Sequence, residues 1–209
     1  MKTPDETPAM CLSGVVLLPK TLLPLRIFEE RYREMLADAL AEDRSFAVIN
    51  SDSLDSDYQV PVAKSVVATL GLIRMSSQEP DGSSLLMLEG TERVRVEQLI
   101  RNAPYPVFNI ERLPTTNRPN DELEAEIVVD LLGKVDQLSA LTGPNEDQTA
   151  QACHEIDDIE MLNHFIMQSY CANSVLMQQT LETTDLVKRC KLASDFLALQ
   201  ITLMRDAEY

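Results

Sequence analysis

The sequence predicts an α+β fold in which a small β-barrel with one embedded helix is followed by a helical bundle. Short apolar stretches separated by turn residues fill the first half, which is typical of a barrel of short strands. After Pro24, apolar residues recur three and four positions apart, which is the pattern of one amphipathic helix. From Asp121 onward the same helical spacing dominates and indicates a separate set of helices.

Strands are predicted where apolar and β-branched residues run between turn signals. The predicted extended segments are 15–18, 46–50, 65–74, 84–89, 94–99 and 107–112. Asp81-Gly82 predicts a hairpin tip, because this dipeptide suits the positive φ angles of tight turns. Gly90-Thr91 predicts a second turn, between the fourth and fifth of these segments.

The embedded helix is predicted to bury one face, which consists of Tyr32, Met35, Leu36, Ala39 and Leu40. The stretch LPTTNRPN at 113–120 interrupts both patterns, which predicts a barrel domain at 1–115 and a helical domain at 119–209.

The helical domain is predicted to contain three helices. Asp121 and Glu124 resemble a capping box at the start of the first helix, whose apolar stripe ends near Gly143-Pro144. The acidic stretch at 145–160 is predicted to hold a loop, and later helices carry the apolar stripes at 159–170 and 186–204.

The charge balance restricts the classes of partner. The chain has 18 Lys and Arg against 34 Asp and Glu, a net charge of −16. Nucleic acids and anionic membranes attract clustered cations, so neither is expected as a partner. The N-terminal residues lack the apolar stretch of a secretory signal, and no window is apolar enough to span a bilayer. These features predict a cytoplasmic location and buried, reduced thiols at Cys11, Cys153, Cys171 and Cys190.

Motifs for catalysis are not evident. The six glycines never form the GxxxxGK[ST] phosphate loop, so no ATPase motor is predicted. The only histidines are His154 and His164, and no GxSxG motif is present, which argues against a Ser–His nucleophile. A Ser–Lys pair stays open, because such a site is defined by geometry.

Metal and acid–base sites are not predicted either. The stretch with Cys153, His154, His164 and Cys171 lacks the short paired spacing of zinc ligands, so neither a metal nor a cofactor is expected. The carboxylates at 157, 158 and 160 are predicted to be a solvated helix start rather than an acid–base pair.

The stretch LPLRIFEERYREML at 23–36 carries a family resemblance. With LLPK at 17–20 before it, and PDG at 80–82, GTER at 90–93 and PY at 104–105 after it, it resembles the N-terminal substrate-recognition domain of the Lon protease family, which also occurs in cereblon-like proteins. MQQTLETTDLVKRCKLASDFL at 177–197 resembles the helical segment of bacterial Lon. The ATPase and peptidase domains of full Lon, with their Ser–Lys pair, have no counterpart in the chain.

The resemblance implies a PUA-like pseudobarrel followed by a helical bundle, and no catalytic residues. The recognition or structural positions that it marks are Pro24, Arg26, Phe28, Glu29, Arg31, Tyr32, Gly90 and Arg93. The alternative for Arg31 and Tyr32 is a structural role, in which they fix the helix onto the barrel. Lys20 replaces the family's usual glycine, so its turn is predicted to avoid positive φ.

These observations predict a non-catalytic module that binds unfolded or exposed polypeptide segments. Nine methionines support this hypothesis, because flexible thioethers suit permissive apolar surfaces. The expected capture site is either an open strand edge or an apolar groove between barrel and bundle. A scaffold, either self-associated or an adaptor to a separate protease, is the alternative; a small hydrolase and an RNA binder are less favoured.

Overall fold

A computed structural model describes residues 5–60, 65–142 and 144–207 of the chain. The strands in these residues are β1 (Glu6–Leu12), β2 (Leu22–Ile27), β3 (Ser45–Asn50), β4 (Val66–Gln78), β5 (Ser84–Arg101) and β6 (Val107–Arg112). The helices are α1 (Glu30–Ala41), α2 (Asp121–Thr142), α3 (Pro144–His154), α4 (Ile159–Tyr170), α5 (Ser174–Glu182) and α6 (Leu186–Ala207). The predicted α+β fold is confirmed.

These elements form two compact units. Unit 1 comprises Met1–Pro114 and Asn173–Glu182, so it contains every described strand together with α1 and α5. Unit 2 comprises Thr115–Ala172 and Thr183–Tyr209 and contains α2, α3, α4 and α6. Helix α5, predicted to be part of the helical domain, therefore lies in unit 1.

The strands of unit 1 close into a pseudobarrel. Their order is β2-β5-β4-β3-β1-β6, and β6 also pairs with β5, so five strands form a ring to which β2 is added. Only the β1–β3 pair is parallel among the described strands. Strand β5 is long enough to pair with β2 along its first half and with β6 along its second half. The first half of β5 therefore belongs to a three-stranded extension, β2-β5-β4.

Helix α1 packs on this sheet as its apolar spacing predicted. Tyr32, Met35, Leu36 and Ala39 are buried, and Leu40 packs partly buried beside them. The same cluster includes Ile27 of β2, which places the end of that strand under the helix. A second apolar cluster, with Ile49, Val94 and Phe108 among its members, lies between the strands of the ring. Burial of these two clusters supplies the main driving force for folding of unit 1.

The strand predictions were wrong at several points. Neither β1 nor β2 lies within the predicted segments, although β1 pairs with both β3 and β6 and β2 pairs with β5. Segment 15–18 is not a strand; Leu17 and Leu18 are nevertheless fully buried, and Thr69 Oγ1 donates to Leu17 O at 2.5 Å. No turn occurs at Gly90, because β5 continues through it. The Asp81-Gly82 hairpin tip is confirmed, with Gly82 at a φ of +81°.

The turn at Lys20 also differs from its prediction. Lys20 adopts a φ of 65°, in the left-handed region that usually costs a non-glycine residue about 1 kcal/mol. Two hydrogen bonds offset this cost: Lys20 N donates to Gly90 O at 2.7 Å, and Thr21 Oγ1 donates to Leu18 O at 2.7 Å. Tertiary contacts rather than the local residue preference thus decide the conformation of this turn.

Unit 2 contains more helix than predicted. Residues 144–154 form α3 instead of a loop, so the described part of unit 2 contains four helices where three were predicted. Asn120, not Asp121, caps α2, since its Oδ1 accepts from Leu123 N at 3.0 Å. Gly143, where the first helix was predicted to end, lies outside the described residues. The predicted solvated position of Glu160 was wrong, because this side chain is buried.

All four cysteines are free and buried, which confirms the prediction from the sequence. Burial raises the pKa of Cys11 to about 12, of Cys153 to about 11 and of Cys190 to about 12.

We expect native protein to react with dithio-bis-nitrobenzoate at pH 8 at least ~100-fold more slowly than an exposed thiol, because the thiolate is the reactive form. Protein unfolded in urea should release four equivalents of thionitrobenzoate, one for each cysteine. A fast equivalent in the native protein would contradict this expectation.

No helix in the described part of the chain combines the length and the hydropathy that crossing a bilayer requires.

Candidate functional site

The three-stranded extension of unit 1 exposes apolar side chains on the side away from the core. Alternation along a strand sends successive side chains to opposite faces, so one face of β2 carries every second residue. We define the outer face as the side chains of Leu22, Pro24, Arg26, Met75, Ser77, Leu85 and Met87. Met75 is 70% exposed, Leu22 54% and Leu85 48%. Phe28, just beyond β2, is also exposed, at 66%.

The pairing register sets the neighbours on this face. Pro24 lies opposite Met87, and Met75 of the other neighbouring strand also lies opposite Met87. Cross-strand neighbours on one face are close enough to contact each other. The resulting shallow groove has a volume of about 470 Å³, and its lining includes the outer-face residues Pro24, Arg26, Met75, Ser77, Leu85 and Met87. Two flexible thioethers at its centre can adapt to ligands of different shapes.

Near the tip of the β4–β5 hairpin, polar side chains lie on the inner side and apolar side chains lie on the outer side. Ser76, Gln78 and Ser84 belong to its inner side, where they line a groove of about 870 Å³ together with Arg33 and Glu34 of α1. A hairpin that served only to cover the core would carry its apolar residues on the inner side. Apolar residues on the outer side instead indicate a contact surface.

Two ion pairs border the outer face. Arg26 contacts Asp81 at 2.8 Å, and Arg74 pairs with Glu89. Hydrogen bonds from Ser83 Oγ and N hold the pKa of Asp81 below its usual value, which keeps this carboxylate charged opposite Arg26. Because these two arginines each have an acidic partner, the border adds little net charge to the apolar centre.

The free edge of β2 is poorly suited to adding a further strand. Strand β2 pairs only with β5 among the described strands, so its other edge is open. Pro24, in the middle of β2, has no N–H and occupies a position whose backbone groups point to that edge. A proline there interrupts a new ladder, so the face rather than the edge is the better contact surface.

Glu29, Arg31 and Tyr32 lie away from this face. Arg31 Nε donates to Glu29 Oε2 at 3.1 Å, its Nη1 donates to Tyr58 Oη at 3.1 Å, and its guanidinium lies 4.5 Å from the Tyr32 ring centre. Burial raises the pKa of the Tyr32 hydroxyl, which bonds both the N and the O of Cys11 at 3.2 and 3.3 Å. These contacts attach the start of α1 to β1.

Gly90 and Arg93 occupy packed positions. A Cβ at Gly90 would lie 2.3 Å from Leu18 O, so only glycine fits beneath the turn. Arg93 is buried, and its Nε donates to Leu181 O of α5 at 2.5 Å. Of the eight positions that the resemblance marked, the structure therefore brings only Pro24 and Arg26 to the outer face, whereas Phe28 follows the end of β2 and is exposed.

Sequence reasoning did not identify the apolar residues Met75, Leu85 and Met87. A signal was present, since 85–88 reads Leu-Leu-Met-Leu without a polar residue. A strand with one solvated face should alternate, so an unbroken apolar run at a hairpin indicates that both faces carry an apolar surface. Among the described residues, no group of three or more His, Cys, Asp or Glu side chains could hold a metal ion.

Comparisons with known proteins agree with this architecture. Among solved structures, the N-terminal domain of Mycobacterium avium complex Lon protease matches with a TM-score of 0.70 and 14% identity, covering 92% of this chain and 98% of that one. A Lon N-terminal domain protein from Xanthomonas campestris matches with a TM-score of 0.63 and 21% identity, covering 89% and 95%. At these identities the matches establish the fold.

Sequence relatives give the same result. The Lon protease of Desulfosudis oleivorans is 26% identical over 207 residues, which cover 98% of this chain and 25% of the relative. The Lon protease of Chloroherpeton thalassium is 24% identical over 211 residues, covering 98% and 24%. The chain thus spans about a quarter of the length of these relatives. A family model described as the ATP-dependent protease La (LON) substrate-binding domain matches residues 6–198, nearly the whole chain, and the chain therefore belongs to that family.

Proposed function

We propose that this chain is a non-catalytic module that binds unfolded or exposed polypeptide segments on the outer face. The observation that carries the proposal is the pair of exposed apolar side chains Met75 and Leu85 beside the half-buried Met87 and the exposed Pro24. Membership of a substrate-binding family supports a polypeptide as the ligand. The matched region is the substrate-binding part of Lon, which supports a role without catalysis.

The geometry supports capture of an apolar segment. The groove is open along one side and lined largely by carbon and sulfur atoms, so an extended chain can lie across it and bury side chains against the methionines. Burying one methionine-sized side chain contributes about 1.5–3 kcal/mol. Affinity of this origin depends on apolar area rather than on one sequence, which suits a surface that accepts many segments.

Met75→Asp and Met87→Asp should each weaken binding of an unfolded polypeptide at least tenfold. A charge at the centre of the outer face removes apolar contact and must be desolvated under the ligand. Fluorescence anisotropy with labelled, reduced and carboxymethylated lactalbumin measures the affinity, and the same protein with its disulfides intact tests whether the ligand must be unfolded.

Val129→Asp is the matched control for these variants. Val129 is an apolar residue of α2 in unit 2 and is 72% exposed, so the substitution adds the same charge outside the outer face. We expect Val129→Asp to bind like the wild type. Equal binding by both methionine variants and the wild type, or equal binding of the folded and unfolded probes, would contradict the proposal.

A further inference from the structure

Unit 2 contains a buried cluster of polar and charged side chains centred on Arg189 of α6. Arg189 and His164 are fully buried, and Glu160 is 7% exposed. Arg189 uses all five of its N–H hydrogens: Nε donates to Thr183 O (2.9 Å), Nη1 to Glu160 Oε1 (2.9 Å) and His164 Nε2 (2.5 Å), and Nη2 to Thr115 Oγ1 (3.1 Å) and Thr184 O (3.2 Å). Such a network stabilises the fold only while every member keeps its partner.

The cluster holds the two chain segments at which unit 2 begins. Thr115 is the first residue of the unit after Pro114, and Thr183 is the first after Glu182. The two segments also bond each other, since Thr116 N donates to Thr184 O at 2.9 Å. Arg189 therefore ties both entry segments to α4 and α6.

The geometry defines the protonation state of His164. An arginine side chain only donates hydrogen bonds, so His164 Nε2 accepts from Arg189 and carries no hydrogen. The imidazole is therefore neutral. A proton on Nε2 would remove the acceptor and place a second positive charge beside the Arg189 guanidinium.

Among the charged groups of the cluster, Glu160 attracts positive charge at His164, whereas the Arg189 guanidinium repels it. Glu160, on the same helix, is already shared between Arg189 and Arg118, whose Nη2 donates to Glu160 Oε2 at 2.7 Å. Burial alone would raise the pKa of Glu160, but hydrogen bonds from Thr115 and Arg189 and the Arg189 charge outweigh burial and lower it to about 2. The neighbouring Cys190 thiol is neutral, because burial raises its pKa to about 12. The cluster is thus complete with His164 uncharged.

We propose that protonation of His164 destabilises unit 2. The neutral ring accepts a hydrogen bond from Arg189 and so keeps Arg189 bonded to the two entry segments, whereas the protonated ring cannot accept this bond and the contacts of Arg189 with the entry segments are lost. In the unfolded chain His164 has the ordinary histidine pKa of about 6.5. Its contribution to stability is fully present above that pH and is lost as the pH falls below it, since the unfolded state then binds the extra proton. The unfolding equilibrium constant should rise about tenfold per pH unit from this residue.

The test is urea unfolding of the full chain at several pH values between 7.5 and 5.0, monitored by far-ultraviolet circular dichroism. His164→Gln supplies a neutral acceptor that does not titrate, and it should lose the roughly tenfold-per-unit dependence below pH 6.5. His154→Gln removes the only other histidine, which is exposed beside Asp136, and it should retain the dependence. If His164→Gln keeps the acid dependence of the wild type, the proposal is overturned.

A second measurement does not require His164→Gln to fold. In His154→Gln, the single remaining histidine ring signal in a ¹H–¹³C spectrum belongs to His164. We expect this signal to stay unshifted from pH 8 to 5.5 while the protein is folded. A titration of the folded protein with a midpoint near pH 6.5 would overturn the proposal, whatever the glutamine variant shows.

Discussion

Replacing Arg189 with methionine will lower the free energy of unfolding by about 3–5 kcal/mol, because Glu160 is left buried without its main cation. Methionine fills much of the same space but has no N–H group, so His164 Nε2 and Thr183 O also lose their hydrogen-bond donor. Arg118 keeps its own bond to Glu160 at 2.7 Å, but its side chain is half exposed, so solvent screens its charge and it compensates for the loss only in part. Urea unfolding at pH 7.5 measures the effect.

Two comparisons separate loss of the buried charge from a general effect on α6. Lys191→Met removes an exposed cation from the same helix, where Lys191 pairs with Asp195 at the surface, and should cost no more than about 0.5 kcal/mol. Adding Glu160→Gln to Arg189→Met should recover part of the loss, because the buried carboxylate, which would keep only the half-exposed Arg118 as a cation, is then absent. A double variant less stable than Arg189→Met would contradict this explanation.

The pH dependence of the same variant has a defined sign. The pKa of Glu160 is lowered from 4.5 to about 2, so its contribution is present above pH 4.5 and is lost as the pH falls toward 2. The difference in free energy of unfolding between Arg189→Met and the wild type should therefore become smaller as the pH falls from 4.5 toward 2. A constant difference would indicate that packing, rather than the buried carboxylate, causes the loss.

Gly90→Ala should lower the free energy of unfolding by at least about 2 kcal/mol. The added Cβ would lie 2.3 Å from Leu18 O and 3.1 Å from Pro19 Cα, and both are backbone atoms that no side-chain rotation can move aside. Relief requires the turn to shift, which weakens the bonds from Lys20 N to Gly90 O at 2.7 Å and from Gly90 N to Thr21 O at 2.9 Å. Thermal or urea unfolding measures the loss.

Gly133→Ala is the matched control for the same chemical change. Gly133 lies within α2, and a Cβ added there would meet no atom within 4 Å beyond the backbone of its own helix. Alanine is the better helix former, so this variant should gain about 0.5–1 kcal/mol. Opposite signs for the two glycines would establish that close approach at Gly90, and not loss of glycine as such, causes the damage.

Much of the fold could be predicted from local pattern. The strands near 46–50 and 107–112, the buried face of α1 and the helical second half were all predicted, because spacing along the chain records which side of an element faces the core. Strand β1 escaped prediction, since ETPAMCL contains Glu6 and Pro8 and becomes a strand through pairing with distant β3 and β6.

The candidate site was predicted only in part. The stretch with Pro24 and Arg26 was marked by resemblance, but their partners Met75 and Met87 were not. Which residues of β2, β4 and β5 become neighbours depends on the register of two strand pairs. A shift of one residue in that register would send the same methionines to the opposite face.

The sequence by itself determined the α+β class, the amphipathic helix after β2 and the family to which the chain is similar, because each is written in short-range spacing and in one motif-rich stretch. Only the tertiary structure decided that Gly90 accommodates a turn, that an acidic helix start conceals the buried Glu160–Arg189 pair, and that apolar side chains meet on an outer face. The physical reason is distance along the chain: Glu160 and Arg189 are 29 residues apart, and neither residue's own neighbours reveal its partner.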